Sequence, residues 1–421
     1  MRYAWYVAVV LMVCNTLSFI DRQILGLLVT PIKLELGLSD TRIGLLQGLA
    51  FGVFYTLLGI PMGRIADRSS RRKLVAAGVF AWSLMTALCA GARTFGTLFL
   101  ARMGVGIGEA TLSPSAFSLL SDYFPKQRLG TALSIFSMGV FFGSGLALIL
   151  GGLVIGAVGS WRLTFLLMGL PGLLIALLAL TIREPPRRNL LRAEDGQPSR
   201  LSLGDVADQV RIRWRSVAGI CLGFAAQALC NYAQQAWLPT YFVRVHGFSA
   251  RQAGLTLGVI SLATGLCGAY LGGRLTDLWQ ARGIAEAPLR VGVLATVCAG
   301  VSFTLAMALP GLGAQLALLG PAFFFLAMPI GSVYASLQLI LPNQVRGQIG
   351  ALQVFTLNLG GLILGPALPG FLNDYVFQDP RMVGWSLALT VGTASLVSAI
   401  LFRATWSPYR RDYALMQGGA G

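Results

Sequence analysis

Apolar segments long enough to cross a lipid bilayer recur along the whole chain. A helix that spans the hydrocarbon core needs about 20 mainly apolar residues. Because the bilayer interior offers no water, such a segment must satisfy its own backbone hydrogen bonds, and a helix does so. The sequence therefore predicts an all-α membrane protein with twelve transmembrane helices, at 5–32, 42–65, 74–90, 97–121, 131–156, 162–182, 217–242, 250–276, 290–309, 312–340, 349–372 and 383–402.

Charge is scarce and unevenly placed. Only 11% of the residues are charged, against about 25% in soluble proteins. The net charge of +16 could suggest a nucleic-acid partner, but most Lys and Arg residues fall in loops on one side of the predicted helices, above all at 64–73 and 183–215. Basic loops mark the cytoplasmic side. We therefore expect a multi-pass protein of a bacterial inner membrane with both termini cytoplasmic, and no nucleic-acid partner.

Short sequences repeat between the two halves of the chain. The repeated pairs are 39–44 with 249–254, 63–67 with 273–277, and 125–127 with 342–344. Matches in register indicate a duplicated six-helix unit, and transporters built from such repeats rock around a site at the bilayer midplane. We predict two pseudo-symmetric six-helix bundles. The predicted divisions are an N-terminal bundle at 1–182, a cytoplasmic linker at 183–215, a C-terminal bundle at 216–403 and a cytoplasmic tail at 404–421.

The linker is rich in proline and charge, which favours a solvated segment. Apolar residues alternate with charges from Leu201 to Ile212. This pattern is typical of a helix that lies on the membrane surface.

One loop carries a specific motif. Residues 63–72, Gly-Arg-Ile-Ala-Asp-Arg-Ser-Ser-Arg-Arg, resemble the loop between helices 2 and 3 of the major facilitator superfamily. Residues 102–108 resemble the helix 4 motif of proton-coupled members. The glycines at 139–152 resemble an antiporter motif, although Ser144 stands where that motif has proline.

Within that superfamily the sequence most resembles the spinster family of lipid transporters. The resemblance is carried by Asp21-Arg22, Gly106-Ile107-Gly108-Glu109-Ala110, Ser113-Pro114 and Asp122-Tyr123-Phe124-Pro125. Organic-anion and aromatic-acid symporters share several of these residues. Eukaryotic spinster proteins are linked to sphingosine phosphate and lysophospholipids, so the resemblance implies an amphipathic lipid or a related organic anion as substrate.

Charges inside predicted helices are the candidate coupling groups, because burial of a charge in a membrane is costly and usually functional. They are Asp21, Arg22, Arg102 and Glu109. Arg102 and Glu109 are seven residues apart, so they share a helix face about 10 Å apart along the axis. The resemblance places helices 1 and 4 at the transport cavity, which implies one network.

Glu109 is the candidate proton carrier. Gly104, Gly106 and Gly108 remove side-chain bulk around it and are expected to leave the carboxylate few polar partners. The alternative is a permanent ion pair between Glu109 and Arg102 that only fixes helix packing. Asp21 is either a second proton site or the neutralising partner of Arg22.

The resemblance also implies a latch that closes the cytoplasmic gate. A carboxylate at a helix end can accept backbone N–H groups from a facing helix start and pair with arginine. Asp67 and its repeat Asp277 are the candidates for this role, and the alternative is that both are solvated anions. The predicted latch consists of Gly63, Asp67, Arg68, Arg71, Arg72, Asp122, Arg128 and Asp277.

The C-terminal half contains no deep charge, but it has a polar stripe. Its residues are Gln227, Asn231, Gln234 and Gln235 in helix 7, with Tyr334 and Gln338 in helix 10. Helical spacing puts the helix 7 residues on one face. The stripe either binds a polar head group in the substrate cavity or makes hydrogen bonds between helices.

These features predict a proton-coupled secondary transporter that works by alternating access. The expected partners are a small amphipathic substrate, protons and membrane lipids, and the expected state is a monomer. The sequence shows no metal-ligand cluster, phosphate loop or nucleophile–base set, so we expect no enzyme activity, no cofactor and no metal. One alternative is a proton symporter that imports an organic or aromatic acid. Another is a receptor or scaffold without turnover, which would have little reason to keep four costly buried charges.

Overall fold

A computed structural model describes residues 2–186, 203–341 and 345–418 of the chain. These residues form helices joined by short turns, with no strand among them. Eleven helical segments in the described residues are long and apolar enough to cross a membrane. The all-α membrane class is therefore confirmed.

The described residues up to 186 form nine α-helices. They are α1 (Arg2–Leu27), α2 (Val29–Leu36), α3 (Asp40–Gln47), α4 (Leu49–Arg68), α5 (Arg71–Leu88), α6 (Phe95–Glu109), α7 (Leu112–Tyr123), α8 (Lys126–Val158) and α9 (Trp161–Ala179). Ser39, Thr94 and Ser160 cap α3, α6 and α9 by accepting a backbone N–H with their hydroxyl oxygens, which satisfies donors that a helix start leaves open.

The predicted span 97–121 is not one helix. It is divided between α6 and α7, which separate at Ala110 and Thr111. Pro114 explains the break, because a proline has no N–H and its ring crowds the carbonyl four residues earlier, here Ala110. Thr111 donates its hydroxyl to the Gly108 carbonyl at 2.9 Å and so closes the last turn of α6.

The described residues from 203 onward form nine more α-helices. They are α10 (Leu203–Ile212), α11 (Trp214–His246), α12 (Ala250–Ala281), α13 (Ala287–Ala308), α14 (Leu312–Ala327), α15 (Pro329–Ile340), α16 (Arg346–Leu357), α17 (Leu364–Phe371) and α18 (Val383–Gly418). Two π-helical turns, Asn358–Ile363 and Leu372–Phe377, flank α17. α10 agrees with the helix predicted in the linker, whereas 187–202 and the repeat at 342–344 lie outside the described residues. α18 continues through the predicted tail to Gly418.

The chain groups into two compact units. The first contains the described residues of 1–191 together with Gln235–Leu262 and Gly370–Arg381. In it, α1 packs closely on α8 because Gly139 and Gly143 carry no side chain. A Cβ at Gly143 would lie 2.5 Å from the Thr16 carbonyl oxygen, and one at Gly139 would lie 2.8 Å from that of Met12. These two glycines therefore allow the backbones of α1 and α8 to lie close together.

The second unit contains the described residues of 192–234, together with those of Ala263–Pro369 and Met382–Gly421. Its core joins the start of α11 to α15 and to the end of α18, with Phe224, Leu337, Phe402 and Tyr409 among its buried residues. The buried Tyr409 hydroxyl donates to the Ser336 carbonyl at 3.1 Å. α18 therefore contributes to this core well beyond the predicted end of the last span.

Candidate functional site

The charges predicted at the centre of the N-terminal half lie together inside the first unit. The side chains of Asp21, Arg102 and Glu109 are at most 1% exposed. Asp21 and Arg22 belong to α1, and Arg102 and Glu109 belong to α6, so the two helices bring all four charges together. The predicted network is thus formed, but its pairs differ from those expected.

Glu109 pairs with Arg22 and not with Arg102. Arg22 Nε donates to Glu109 Oε2 at 2.6 Å, and Ser18 Oγ donates to the same oxygen at 2.5 Å. Ser18 and Arg22 are one helical turn apart on α1 and therefore share a face. The expectation that Glu109 has few polar partners was wrong, because that face of α1 supplies two donors. Its second oxygen, Oε1, is buried without a hydrogen bond to any described residue.

The glycines before Glu109 do not open space around it. A Cβ on Gly106 would lie 2.5 Å from the Phe51 carbonyl oxygen, and one on Gly108 would lie 2.8 Å from the Trp82 backbone nitrogen. A Cβ on Gly104 would approach Met85 Cγ to 2.7 Å. These glycines therefore let α4 and α5 pack closely against α6.

Arg102 has a different partner. Its Nη1 donates to the backbone carbonyl of Asp21 at 3.0 Å, while its Nε is buried without a described hydrogen bond. The alternative Arg102–Glu109 ion pair is absent from the described ion pairs. The Glu109 carboxylate pairs with Arg22 of α1 instead. Arg102 instead ties α6 to the main chain of α1.

The Asp21 carboxylate accepts no hydrogen bond from a described residue. Its carboxylate is fully buried, and neither oxygen has a hydrogen bond to a described residue. The side chains of Thr86 and Trp82 on α5 lie beside it, yet their hydroxyl and indole N–H also remain unpaired among the described residues. Among the described ion pairs, Arg22 pairs with Glu109 and not with Asp21.

Aromatic rings surround the Arg22 guanidinium. Its Cζ lies 4.7 Å from the centroids of Phe19 and Phe51 and 4.5 Å from that of Tyr55. A cation over an aromatic face is attracted by the ring quadrupole, more strongly when water is excluded. Phe51 and Tyr55 are four residues apart on α4, a spacing that could have indicated a shared face from the sequence alone. These rings hold Arg22 in place while leaving about a tenth of its side chain exposed.

Part of the predicted latch is assembled at the other end of α5. The buried Arg71 guanidinium donates to the Asp122 carboxylate, and also to Ser118 Oγ at 3.0 Å and to the Pro185 carbonyl at 3.1 Å. Arg71 Nε donates to Glu184 Oε1 at 2.7 Å. The sequence indicated Arg71 and Asp122 but missed Glu184, because a carboxylate at the edge of a charged linker has no distinctive spacing.

Glu184 closes the start of α5. Its Oε2 accepts the Arg72 backbone N–H and the Ser70 hydroxyl, both at 3.0 Å. Burial raises the pKa of Glu184, but the hydrogen bonds from the Arg72 amide, Arg71 and Ser70 outweigh it and hold the pKa below its usual value. This carboxylate therefore caps the start of α5.

Among the described side chains, three of the predicted latch residues lie on the surface. Arg68, Arg128 and Asp277 are exposed, and no ion pair of the described residues includes Asp277. A Cβ on Gly63 would lie 3.9 Å from Pro114 Cβ, so that position has room for a side chain. The side chain of Asp67 lies outside those described.

Several residues of the polar stripe in the C-terminal half form hydrogen bonds within the protein. Gln227 donates to the Leu326 carbonyl at 2.7 Å inside the second unit, and Asn231 donates to the Gln227 carbonyl at 3.4 Å. Gln234 is buried, with its Oε1 unpaired among the described residues. Gln235 belongs to the first unit and accepts a hydrogen bond from Gln23. Gln227 thus makes the interhelical hydrogen bond of the alternative interpretation.

The stripe residues Tyr334 and Gln338 lie on α15 and are partly exposed. Tyr334 is 37% exposed and packs edge-on against Phe224, with ring centroids 4.8 Å apart, and Gln338 follows one turn later. Among the described residues, no three His, Cys, Asp or Glu side chains come together as metal ligands.

Comparison with known proteins agrees with this arrangement. Residues 11–366 match the Major Facilitator Superfamily. The chain is 30% identical to an MFS-type efflux pump of Mycolicibacterium smegmatis, over 98% of this chain and 94% of that protein. It is 26% identical to a probable L-galactonate transporter of Escherichia coli, over 85% of this chain and 80% of that protein.

A solved structure is similar over almost the whole chain. It is that of a bacterial homologue of the human lysosomal transporter Spinster in an inward-facing, unoccupied conformation. The TM-score is 0.80 and the identity is 25%, with 98% of this chain and 97% of that chain covered. The spinster resemblance seen in the sequence is thereby confirmed. The chain belongs to the Major Facilitator Superfamily and is a multi-pass membrane transporter, not an enzyme.

Proposed function

We propose that this protein is a proton-coupled secondary transporter of an amphipathic organic anion, working by alternating access. The observation that carries the proposal is the buried pair of Arg22 and Glu109, in which one carboxylate oxygen is paired and the other is not. A buried ion pair is strongly destabilised when one partner is removed. An anion that binds Arg22 in place of Glu109 therefore favours the protonated form of Glu109.

The proposed exchange has two steps. The carboxylate or phosphate of a substrate binds the Arg22 guanidinium, which the rings of Phe19, Phe51 and Tyr55 keep in position. Glu109, released from Arg22, is then an unpaired charge in a site of low dielectric, and it takes up a proton at an oxygen such as the unpaired Oε1. Substrate and proton thus occupy the site together, which favours symport of an anion with a proton.

Asp21 is the second proposed proton site. A fully buried carboxylate without a hydrogen-bonding partner is far more stable in its neutral form. Asp21 lies next to Arg22 in sequence, and Arg102 binds its carbonyl. Its ionisation would therefore act on the same charged network and bias the two conformations of the carrier.

An amphipathic lipid is the first candidate substrate, and it is supported by the similarity to the spinster homologue. A sugar acid imported by proton symport is the second candidate, and it is supported by the relative that is a probable L-galactonate transporter. Each candidate substrate has an anionic group for Arg22, but only the lipid has a long apolar tail. We further propose a bacterial inner-membrane location with both termini cytoplasmic, and a monomer as the working state.

Ligand-induced stabilisation in detergent separates these candidates, because a ligand that binds the folded state raises the unfolding temperature. We expect a lysophospholipid or sphingosine phosphate to raise the midpoint more than L-galactonate or an aromatic acid. Arg22→Lys should weaken the response to every anion, since lysine cannot reproduce the planar guanidinium contacts, while Arg93→Lys on the surface should not. Counterflow of radiolabelled ligand in proteoliposomes then tests turnover, and binding without counterflow would favour a receptor.

A further inference from the structure

A group of arginines lies in the second unit, where α13 begins and where α18 continues beyond its predicted span. Arg290 belongs to the first turn of α13, whereas Arg403 and Arg410 belong to α18. Arg290 Cζ lies 5.0 Å from the centroid of the Trp406 ring, and Arg403 Cζ lies 4.4 Å from the same centroid. We refer to Glu286, Arg290, Arg403, Trp406 and Arg410 as the Trp406 cluster.

The Trp406 cluster carries an excess of positive charge. The buried Glu286 carboxylate accepts Arg290 Nη2 at 2.7 Å and Arg290 Nε at 3.1 Å. Arg410 Nε lies 3.4 Å from the other oxygen of this carboxylate. No ion pair of the described residues includes Arg403. The cluster thus holds three guanidinium groups and one carboxylate, and an added anion would balance its charge.

The Trp406 ring fixes two like charges beside each other. A tryptophan face attracts a cation, and it does so more strongly where water is excluded. Arginines that only mark the cytoplasmic side of a membrane protein act by their charge and need no fixed position. Arg290 and Arg403 are instead held at one ring, so little side-chain freedom remains to be lost when an anion binds them.

Each of these two arginines stands at the end of an exposed apolar stripe on its own helix. Residues three or four apart share a helix face. The stripe that follows Arg290 on α13 consists of Leu294, Val297 and Val301. The stripe that precedes Arg403 on α18 consists of Leu396 and Ile400. Both stripes lie within helical segments that are long and apolar enough to cross the membrane.

The two stripes belong to helices that pack directly on each other. A Cβ on Gly292 of α13 would lie 2.9 Å from Phe402 Cδ2, and one on Gly300 would lie 2.6 Å from Ser395 Cβ. The residue numbers rise along α13 as they fall along α18, so the two helices run antiparallel. The stripes therefore extend in the same direction from the Trp406 cluster, with the charges at one end and apolar surface beyond them.

We propose that the Trp406 cluster binds the phosphate of an anionic phospholipid, whose acyl chains lie along the two stripes. A guanidinium binds a phosphate group through paired N–H donors. Anionic lipids of the cytoplasmic leaflet are attracted to basic residues near the membrane surface. The site depends on the proposed orientation in the membrane. It is not the proposed transport site, because Arg22 belongs to the first unit.

Stabilisation by added lipid in detergent tests this site, since a ligand of the folded state raises the unfolding midpoint. Phosphatidylglycerol and phosphatidylcholine with identical acyl chains are compared as mixed micelles over a range of concentrations. The parent should respond at a lower concentration of phosphatidylglycerol. Arg403→Gln should raise the concentration of phosphatidylglycerol that gives half of the response about fivefold or more. Trp406→Leu should also raise it, although every charge is kept.

Arg282→Gln is the matched control. It removes an exposed arginine that precedes α13 and lies outside the Trp406 cluster, so the preference for phosphatidylglycerol should remain. Equal weakening by Arg282→Gln and Arg403→Gln would overturn the site in favour of diffuse attraction. Inorganic phosphate at the same concentration should stabilise the parent far less than phosphatidylglycerol does. Equal stabilisation by the two would show an anion site without a lipid, and would overturn the proposal.

Two further outcomes separate this site from the proposed transport function. Arg22→Lys should keep the preference for phosphatidylglycerol. Loss of the preference in Arg22→Lys, with the full preference in Arg403→Gln, would place the lipid at the transport site and overturn the proposal. Loss of the preference in Arg403→Gln, for a protein that shows no counterflow of any anion, would support the lipid site and reject the transport function. Should Trp406→Leu fail to fold, the exposed Arg403 still gives the test.

Discussion

At the scale of single residues, the buried carboxylates of Glu109 and Asp21 are held in contrasting ways. Glu109 has Arg22 and Ser18 on one oxygen, whereas Asp21 has no hydrogen bond to a described residue on either. A negative charge is compatible with the first environment and strongly disfavoured in the second. The difference follows from α1, which turns Ser18 and Arg22 toward the end of α6 and Asp21 toward α5.

Glu109→Gln should separate proton coupling from substrate exchange. Glutamine keeps the size and can still bind Ser18, but it cannot gain or lose a proton. We expect accumulation driven by a pH gradient in proteoliposomes to fall about tenfold or more, because accumulation needs the proton as driving ion. Counterflow without a gradient should persist.

Two comparisons define that experiment. Glu35→Gln removes an exposed carboxylate and should accumulate substrate as the parent does. If Glu109→Gln accumulates substrate as fully as the parent does, the proton-coupling site is not Glu109. We would then expect Asp21→Asn to abolish the gradient-driven accumulation.

At the scale of elements, the packing of α6 depends on glycine. Gly106→Ala places a Cβ 2.5 Å from the Phe51 carbonyl oxygen, so α4 must shift. Overpacking of this kind typically costs about 1–3 kcal/mol, more than the gain in helix propensity from alanine. Thermal unfolding in detergent should therefore show a clearly lower midpoint.

Gly63→Ala is the matched comparison on α4. The nearest atom to its added Cβ is 3.9 Å away, so the midpoint should stay the same or rise. Equal destabilisation by both changes would mean that Gly63 also has a packing role.

The start of α5 gives a prediction that depends on pH. Glu184 has a folded-state pKa below its usual value, which is about 4.3 in an unfolded chain. A group with a lowered folded pKa contributes its full stability above the unfolded value and loses it as the pH falls through the folded value. Glu184→Gln should therefore cost about 1 kcal/mol at pH 7, given that this site is partly exposed, and almost nothing near pH 3.

Unfolding midpoints of the parent and Glu184→Gln at both pH values measure this difference. Asp277→Asn, which changes an exposed carboxylate, is the comparison and should lie within about 0.5 kcal/mol of the parent at either pH. A loss from Glu184→Gln that is as large at pH 3 as at pH 7 would assign the effect to packing.

At the scale of the whole molecule, the proposed orientation predicts opposite labelling of two exposed arginine positions. Cysteine at Arg93, before α6, should react with a membrane-impermeant maleimide added outside intact cells. Cysteine at Arg282, before α13, should react only after permeabilisation, because basic loops stay in the cytoplasm. Labelling of position 282 from outside would reverse the orientation.

Sequence reasoning reached the fold because its signals are long. Apolar runs of about 20 residues, together with short sequences repeated between the two halves, leave few alternatives to a helical membrane transporter. It also found the four buried charges, which stand out against apolar surroundings. It failed on their pairing, because whether Arg22 or Arg102 reaches Glu109 depends on how α1 is rotated against α6. Glu184 was missed because it lies at the edge of a charged linker, where carboxylates are common.

The break between α6 and α7 has a mechanical meaning. Glu109 is the last residue of α6, while Asp122, which binds Arg71, lies near the end of α7. The proposed coupling group and the carboxylate that binds Arg71 therefore lie on two separate helices that meet at Ala110 and Thr111. Such a joint allows one helix to rotate without an equal rotation of the other. We expect the stiffness of this joint, which depends on Pro114 and the Thr111 hydroxyl, to determine how much of a movement at Glu109 reaches Asp122.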